Sequence, residues 1–192
     1  MRSEIQRPPI PSALLGLLLF IAAEVMLFGG LIGAFLVFRF GSPEWPPPGM
    51  PKLPVTLTAV NTLVLFASCY PATRALRAIR RNDRQGLRQG VAMASLLGTI
   101  FLLVQGSEWI RLVGYGLRIS SGPYGSTFYT LIGFHGLHVL GAVVWLLVIL
   151  AGSMQERFGA RHQTPVELAT VYWYFVSGLW AVLFPLVYLG LG

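Results

Sequence analysis

The chain is 192 residues long, with 55% hydrophobic and only 11% charged residues. Soluble domains carry about 25% charged residues, so this chain has too little charge to cover the surface of a soluble globular protein. Its hydrophobicity also excludes intrinsic disorder. The net charge of +7 does not indicate nucleic-acid binding, because six of the fourteen basic residues cluster between two long apolar runs. A basic connection of this kind is typical of a membrane protein.

Five apolar runs predict an all-α fold, a bundle of five transmembrane helices. Each run reaches the roughly 20 residues that cross a hydrocarbon core, and lipid forces such segments to be helical. There is no internal repeat, which argues against an inverted-repeat transporter. The predicted spans are 14–38, 55–76, 91–113, 127–151 and 167–189, within a single transmembrane domain over residues 1–192.

The connections between the spans carry turn signals. Residues 41–54 include six prolines and predict an extended, polyproline-like strap over the bundle. Asn82 and Asp83 mark the turn of the second connection. Thr164, followed by Pro165 and then Glu167, predicts a helix start at which the Glu167 side chain reaches back to the N-cap residue.

Basic residues predict the orientation of the bundle. Ten of them lie in the N-terminal tail and the second and fourth connections, whereas four lie on the opposite side. Because basic residues accumulate on the cytoplasmic side, we expect a cytoplasmic N-terminus and an external C-terminus.

Glu24 lies near the middle of the first span, where a carboxylate is expensive. Two interpretations stay open, a protonated side chain that holds helices together and a group that handles protons or contacts lipid. The best candidate partners are His135 and His138 in the fourth span. From the 1.5 Å rise per residue, Glu24 and His138 lie within roughly 6 Å of the same depth.

A metal or haem site in this chain is not expected. Both membrane histidines lie three residues apart on one predicted helix, where they share a face, and Glu24 alone does not complete a ligand set. The single cysteine, Cys69, has no partner for a disulfide or a zinc site. We expect the histidines to be hydrogen-bonded within the bundle and the chain to hold no redox centre and no catalytic residue.

Two further features concern contacts between helices or subunits. Glu108 is expected to be a surface or subunit-interface group paired with Arg111 at i+3. The candidate residues for proton handling or lipid contact are Glu24, His135, His138, Glu167 and Glu108. Gly29 and Gly33 form a small-xxx-small pair that would let another helix approach closely.

Several stretches together resemble subunit III of the haem–copper oxidases, from the first span to the last. The resemblance rests on a glutamate in the first span, an HGLHV segment and a glutamate ahead of a YW motif, in matching order. The stretches are LFIAAEVMLFGGLIG (19–33), QGSEW (105–109), YGSTFYTLIGFHGLHVLG (124–141) and VELATVYWYFVSGLWAVLFPLVY (166–188).

The resemblance implies a five-helix subunit III that packs on the haem- and copper-bearing subunit I beside other respiratory subunits and membrane lipids. It implies that haem and copper lie in those partners and that this chain can bind phospholipid. The distribution of basic residues already argues against nucleic acid as a partner. Glu24, His135, His138 and Glu167 match the family's membrane glutamate, its HGxHV histidines and the glutamate ahead of its YWHFVD motif. That motif's histidine and aspartate are replaced here by Tyr174 and Ser177.

The leading hypothesis is a non-catalytic subunit of a terminal respiratory oxidase in a bacterial-type plasma membrane, supporting proton uptake, stability and lipid binding. Three alternatives are weighed against it. The accessory subunit of nitric oxide reductase is a relative of the same family. A small proton-coupled transporter would use Glu24 as its carrier, but broken helices and repeats are lacking. A stand-alone membrane haem enzyme fails on ligand geometry.

Overall fold

The computed structural model describes residues 12–159 and 162–190 as a bundle of five helices, with no strand in these two segments. All five are long and apolar enough to cross a membrane, so the predicted fold class is confirmed. The basic residues Arg2, Arg7 and Arg161, which enter the orientation prediction, lie outside the described segments. The helices are α1 Ser12–Gly41, α2 Val55–Arg80, α3 Arg84–Gly114, α4 Gly122–Met154 and α5 Thr164–Tyr188.

The helices follow one another around the bundle in the order α1, α4, α3, α2 and α5, and α4 also packs on α5 across it. Within the described part of the chain, α1 packs only on α4 and α5. Its inward residues are Leu17, Glu24, Phe28 and Phe35, whose spacing of seven, four and seven residues traces one face of a helix. This face directs Glu24 towards α4.

The first connection is not the extended strap that its prolines predict. It bends over residues 42–46, and a turn follows in which the Met50 N–H donates to the Pro47 carbonyl at 3.1 Å. The ring of Trp45 packs edge-on against Phe35 of α1 and Tyr124 of α4, at centroid distances of 5.7 and 5.0 Å. These aromatic contacts fold the connection onto the helix ends.

The second connection is only three residues long, so its basic residues lie mostly in helices. The structure places Arg74, Arg77 and Arg80 in α2, and Arg84 and Arg88 in α3. The predicted turn at Asn82 and Asp83 is confirmed. The Asp83 carboxylate caps α3 by accepting from the Gly86 N–H at 2.8 Å.

The predicted capping arrangement at the start of α5 is wrong. The helix begins at Thr164, its N-cap residue is Gln163, and no side chain caps it. The Glu167 carboxylate accepts instead from the Arg80 guanidinium at 3.0 Å. A charge-assisted bond to arginine is stronger than a bond to a neutral backbone N–H, so Glu167 joins α5 to α2.

Candidate functional site

The predicted pairing of Glu24 with His138 is present in the structure. The carboxylate oxygen Oε2 of Glu24 contacts Nε2 of His138, and both side chains are almost completely buried. The ring of Phe28, one turn after Glu24, packs edge-on against the imidazole at 5.2 Å. The contact joins α1 to α4 near the middle of both helices.

The second ring nitrogen of His138 indicates where the imidazole carries a proton. Nδ1 lies 2.6 Å from the Phe134 carbonyl oxygen, which can only accept, so Nδ1 carries a proton. One further proton can then lie between Nε2 and the Glu24 carboxylate, either as a neutral pair or as an ion pair. Oε2 has no hydrogen bond of good geometry within the described residues. A proton between Nε2 and the carboxylate would make this contact a hydrogen bond or an ion pair.

His135 lies in a different environment from His138. Its side chain is 1% exposed, it stacks on Trp180 at a centroid distance of 4.8 Å, and it meets the edge of Phe101. Neither ring nitrogen has a hydrogen-bond partner in the described segments. The expectation of a shared face and of hydrogen bonds for both histidines is therefore wrong for His135. Three residues at 3.6 per turn separate two side chains by about 60° around the axis, enough to send His135 into the core and His138 to α1.

Both histidines are engaged or enclosed by neighbouring groups of the bundle. His138 uses Nδ1 towards Phe134 and Nε2 towards Glu24, and His135 is enclosed by aromatic rings. In residues 12–159 and 162–190, no group of three or more His, Cys, Asp or Glu side chains is placed to hold a metal ion.

Glu108 is buried, which corrects its predicted position at the surface. Its side chain is 5% exposed and pairs with the 64% exposed Arg111 at 3.2 Å, so the predicted i+3 pair is confirmed. Gln105, one turn earlier on the same inward face, donates to the Tyr188 hydroxyl at 2.8 Å. The Glu108–Arg111 and Gln105–Tyr188 contacts both lie near the end of the bundle opposite to the Arg80–Glu167 pair.

The predicted close approach of a helix at Gly29 and Gly33 is not made within the described chain. A Cβ atom added at either glycine would have no neighbour within 4 Å. Both positions face the outside of the bundle, and packing of another chain against them stays a prediction.

Sequence reasoning missed the hydrogen bonds that join α2 to α5. The indole N–H of Trp180 donates to the Thr62 hydroxyl at 2.8 Å, and that of Trp173 donates to the Ser68 hydroxyl at 2.9 Å. The signal was available, since α2 is an apolar span that carries several small polar residues on one face. They are Thr58, Asn61, Thr62 and Ser68, all buried.

With this geometry established, comparisons with known proteins identify the family. Residues 11–190 match the family described as "Cytochrome c oxidase subunit III". The chain belongs to this family. A relative from Synechocystis sp., "Cytochrome c oxidase subunit 3", is 38% identical over 91% of this chain and 74% of its own length. The protein of that name from Thermostichus vulcanus is 36% identical, with 91% and 86% covered. The rabbit protein, from Oryctolagus cuniculus, is 37% identical, with 90% and 67% covered.

The resemblance read from the sequence is thus confirmed, and these comparisons favour none of the alternative functions. As a member of the subunit III family with five membrane-length helices, the chain is a multi-pass membrane protein. Its relatives come from bacteria and from mammals.

The two residues of α5 that depart from the subunit III motif, Tyr174 and Ser177, both face α2. Tyr174 is 43% exposed, and its hydroxyl contacts the Thr73 hydroxyl and lies 3.4 Å from the Cys69 carbonyl. Ser177 is buried, and its hydroxyl lies beside the Cys69 thiol of α2. Two hydroxyl side chains of α5, both beside α2, thus occupy the positions of the histidine and the aspartate of the motif.

Proposed function

We propose that the chain is the non-catalytic accessory subunit of a haem–copper terminal oxidase and packs on the oxidase's subunit I in a bacterial-type plasma membrane. Family membership over residues 11–190 supports assembly with other oxidase subunits. Haem and copper would belong to those partners, because both histidines of this chain are already enclosed or engaged. The chain then contributes to an oxidoreductase complex without a catalytic centre of its own.

The buried Glu24–His138 contact is the single observation that carries the functional part of this proposal. A carboxylate at this depth is expensive unless it is paired or protonated, and here it meets an imidazole that can exchange one proton with it. The pair would support proton uptake by the oxidase, stabilise the α1–α4 contact, or do both. His135, Glu108 and Glu167 would have supporting structural roles.

Binding of membrane lipid beside this pair is a further part of the proposal. An apolar groove of about 450 Å³ lies between α1 and α5, lined by Val25, Phe28 and Gly29 on one side and by Gly178 and Val182 on the other. Acyl chains would fill such a groove, and the missing side chains at Gly29 and Gly178 make room for them.

Purification through a tag on this chain in mild detergent tests assembly. We expect a large polytopic partner and haem bands in the reduced-minus-oxidised spectrum, with mass analysis identifying the partner. A colourless, solitary chain under several gentle conditions would contradict the proposal and reopen the transporter alternative.

Substitution of Glu24 tests the role of the pair in the assembled oxidase. Glu24→Ala should leave oxygen reduction measurable and weaken sustained turnover or assembly. Glu24→Gln separates two roles, because a neutral amide still hydrogen-bonds but cannot exchange a proton. Full activity of Glu24→Gln would indicate a structural role.

Glu44→Gln is the matched control, because Glu44 lies at an exposed position of the first connection. Unchanged turnover and assembly of Glu24→Ala would exclude a functional role for Glu24.

A further inference from the structure

A second groove lies on the other side of the bundle, between α2 and α3, with a volume of about 640 Å³. Apolar side chains line one part of the groove, and polar side chains line the other part. The apolar part includes Ala67, Met93 and Leu97, and the polar part includes Tyr70, Arg74 and Gln89. Tyr70 is 72% exposed and Met93 is 50% exposed, so the groove opens to the outside of the bundle.

Small residues create this groove. The two helices approach each other closely at Gly90, where an added Cβ would lie 2.7 Å from the Pro71 carbonyl oxygen and 2.8 Å from the Ala75 Cβ. Beside this seam, Ala67 and Ala92 leave space that larger side chains would fill. The helices are thus held close together, with a channel along their outer edge.

The polar end of the groove lies at one depth on both helices. Arg74 lies six residues before the end of α2, about 9 Å along the axis, and Gln89 lies five residues after the start of α3, about 7.5 Å. Both side chains are exposed. A long arginine side chain at this depth reaches the level of the lipid headgroups while its methylenes stay in the apolar region.

The charge of Arg74 is not neutralised within the described chain. Arg80 pairs with Glu167, and both Arg84 and Arg88 pair with Glu156. By contrast, Arg74 has no carboxylate within 4 Å in residues 12–159 and 162–190. The groove therefore combines an apolar channel with an uncompensated cation at its headgroup end, which is the complement of an anionic lipid.

We propose that the α2–α3 groove binds an anionic phospholipid, with its phosphate at Arg74 and Gln89 and an acyl chain along Ala67, Met93 and Leu97. Basic pockets between transmembrane helices bind anionic headgroups in this way. The inference rests on the proposed function only in that the chain lies in a bilayer as part of an oxidase. The groove is separate from the α1–α5 groove beside Glu24.

A local crosslink tests this site in the assembled complex. Photoreactive benzoylphenylalanine replaces Met93, and the tagged complex is placed in nanodiscs of equal phosphatidylglycerol and phosphatidylcholine. After irradiation, the lipid adducts on this chain are identified by mass. We expect phosphatidylglycerol adducts to exceed phosphatidylcholine adducts by about fivefold, corresponding to about 1 kcal/mol for one arginine. Arg74→Gln should bring this ratio close to one.

Arg77→Gln is the matched control, because Arg77 is an exposed arginine on the same helix that does not line the groove. It should keep the fivefold preference. Equal adducts of both lipids on the unsubstituted chain, a crosslink to another polypeptide, or equal effects of the two arginine variants would overturn the proposed site. The haem content per tagged chain reports assembly independently, so a failure of the proposed function is distinguished from a failure of this inference.

Discussion

At the scale of single residues, Glu24 and His138 depend on each other. Removing one partner leaves the other buried without its contact, which costs about 3 kcal/mol for a buried pair. We therefore expect His138→Ala and Glu24→Ala each to lower the thermal stability of the assembled complex. The double variant should be less destabilised than the sum of the two, because the second substitution has no pair left to break.

The measurement is a double-mutant cycle on the unfolding midpoint of the complex in detergent. Glu167→Ala with Arg80→Ala is the comparison, since this pair is half exposed and should contribute less than about 1 kcal/mol. Strict additivity for Glu24 and His138 would show that the two side chains do not interact energetically.

The residue scale also shows what the sequence could predict about the site. Depth follows from counting residues, because each adds 1.5 Å, and this count brought Glu24 and His138 together. The direction in which a side chain points was harder to predict. Spans that are apolar on all faces do not mark their inward side, so neither the burial of Glu108 nor the separation of His135 from His138 could be read from the pattern.

At the scale of the elements, Gly98 of α3 leaves room for two buried side chains, the Trp173 ring of α5 and Val143 of α4. An added Cβ would lie 2.4 Å from Cη2 of Trp173 and 2.9 Å from Cγ2 of Val143. Gly98→Ala should therefore destabilise the chain by about 1–3 kcal/mol, the usual cost of overpacking. The loss is read as a lower unfolding midpoint.

Gly106→Ala is the control for this substitution, because Gly106 lies in the same helix with open space around it. Alanine there should leave the midpoint unchanged or raise it slightly, since glycine weakens helix interiors by about 0.5–1 kcal/mol. Equal midpoints for the two variants would mean that the Trp173 and Val143 side chains do not pack against Gly98 as closely as described.

The helices themselves were predictable because their length and composition reflect the bilayer, whereas their ends depend on tertiary contacts. The expected cap at Thr164 fails because Arg80, on another helix, attracts the Glu167 carboxylate. The extended first connection fails because Trp45 finds aromatic partners on two helices. The local pattern of apolar residues thus predicted the five helices. Contacts between residues far apart in the sequence determine how α5 begins and how the first connection joins α1 to α2.

At the scale of the whole molecule, hydrogen bonds from indole groups hold α5 to α2. Trp180 and Trp173 are both fully buried and donate to Thr62 and Ser68. Thr62→Val keeps the shape of the side chain and removes the acceptor, which leaves a buried N–H unsatisfied at a cost of about 1–3 kcal/mol. The unfolding midpoint should fall, while Thr56→Val, at an exposed position of the same helix, should leave it unchanged.

The orientation of the whole bundle is the last prediction. Five spans put the two termini on opposite sides of the membrane. The first connection and the turn between α2 and α3 also lie on opposite sides, because the single span α2 separates them. The arginines around that turn favour the cytoplasm. In a Cys69→Ser background, Glu44→Cys should react with an impermeant maleimide in intact cells, and Gln85→Cys only after permeabilisation. Both positions are exposed, so a cysteine that fails to react in intact cells is shielded by the membrane. The reverse labelling pattern would show that the bundle has the opposite orientation. The Arg74 end of the α2–α3 groove would then lie in the outer leaflet.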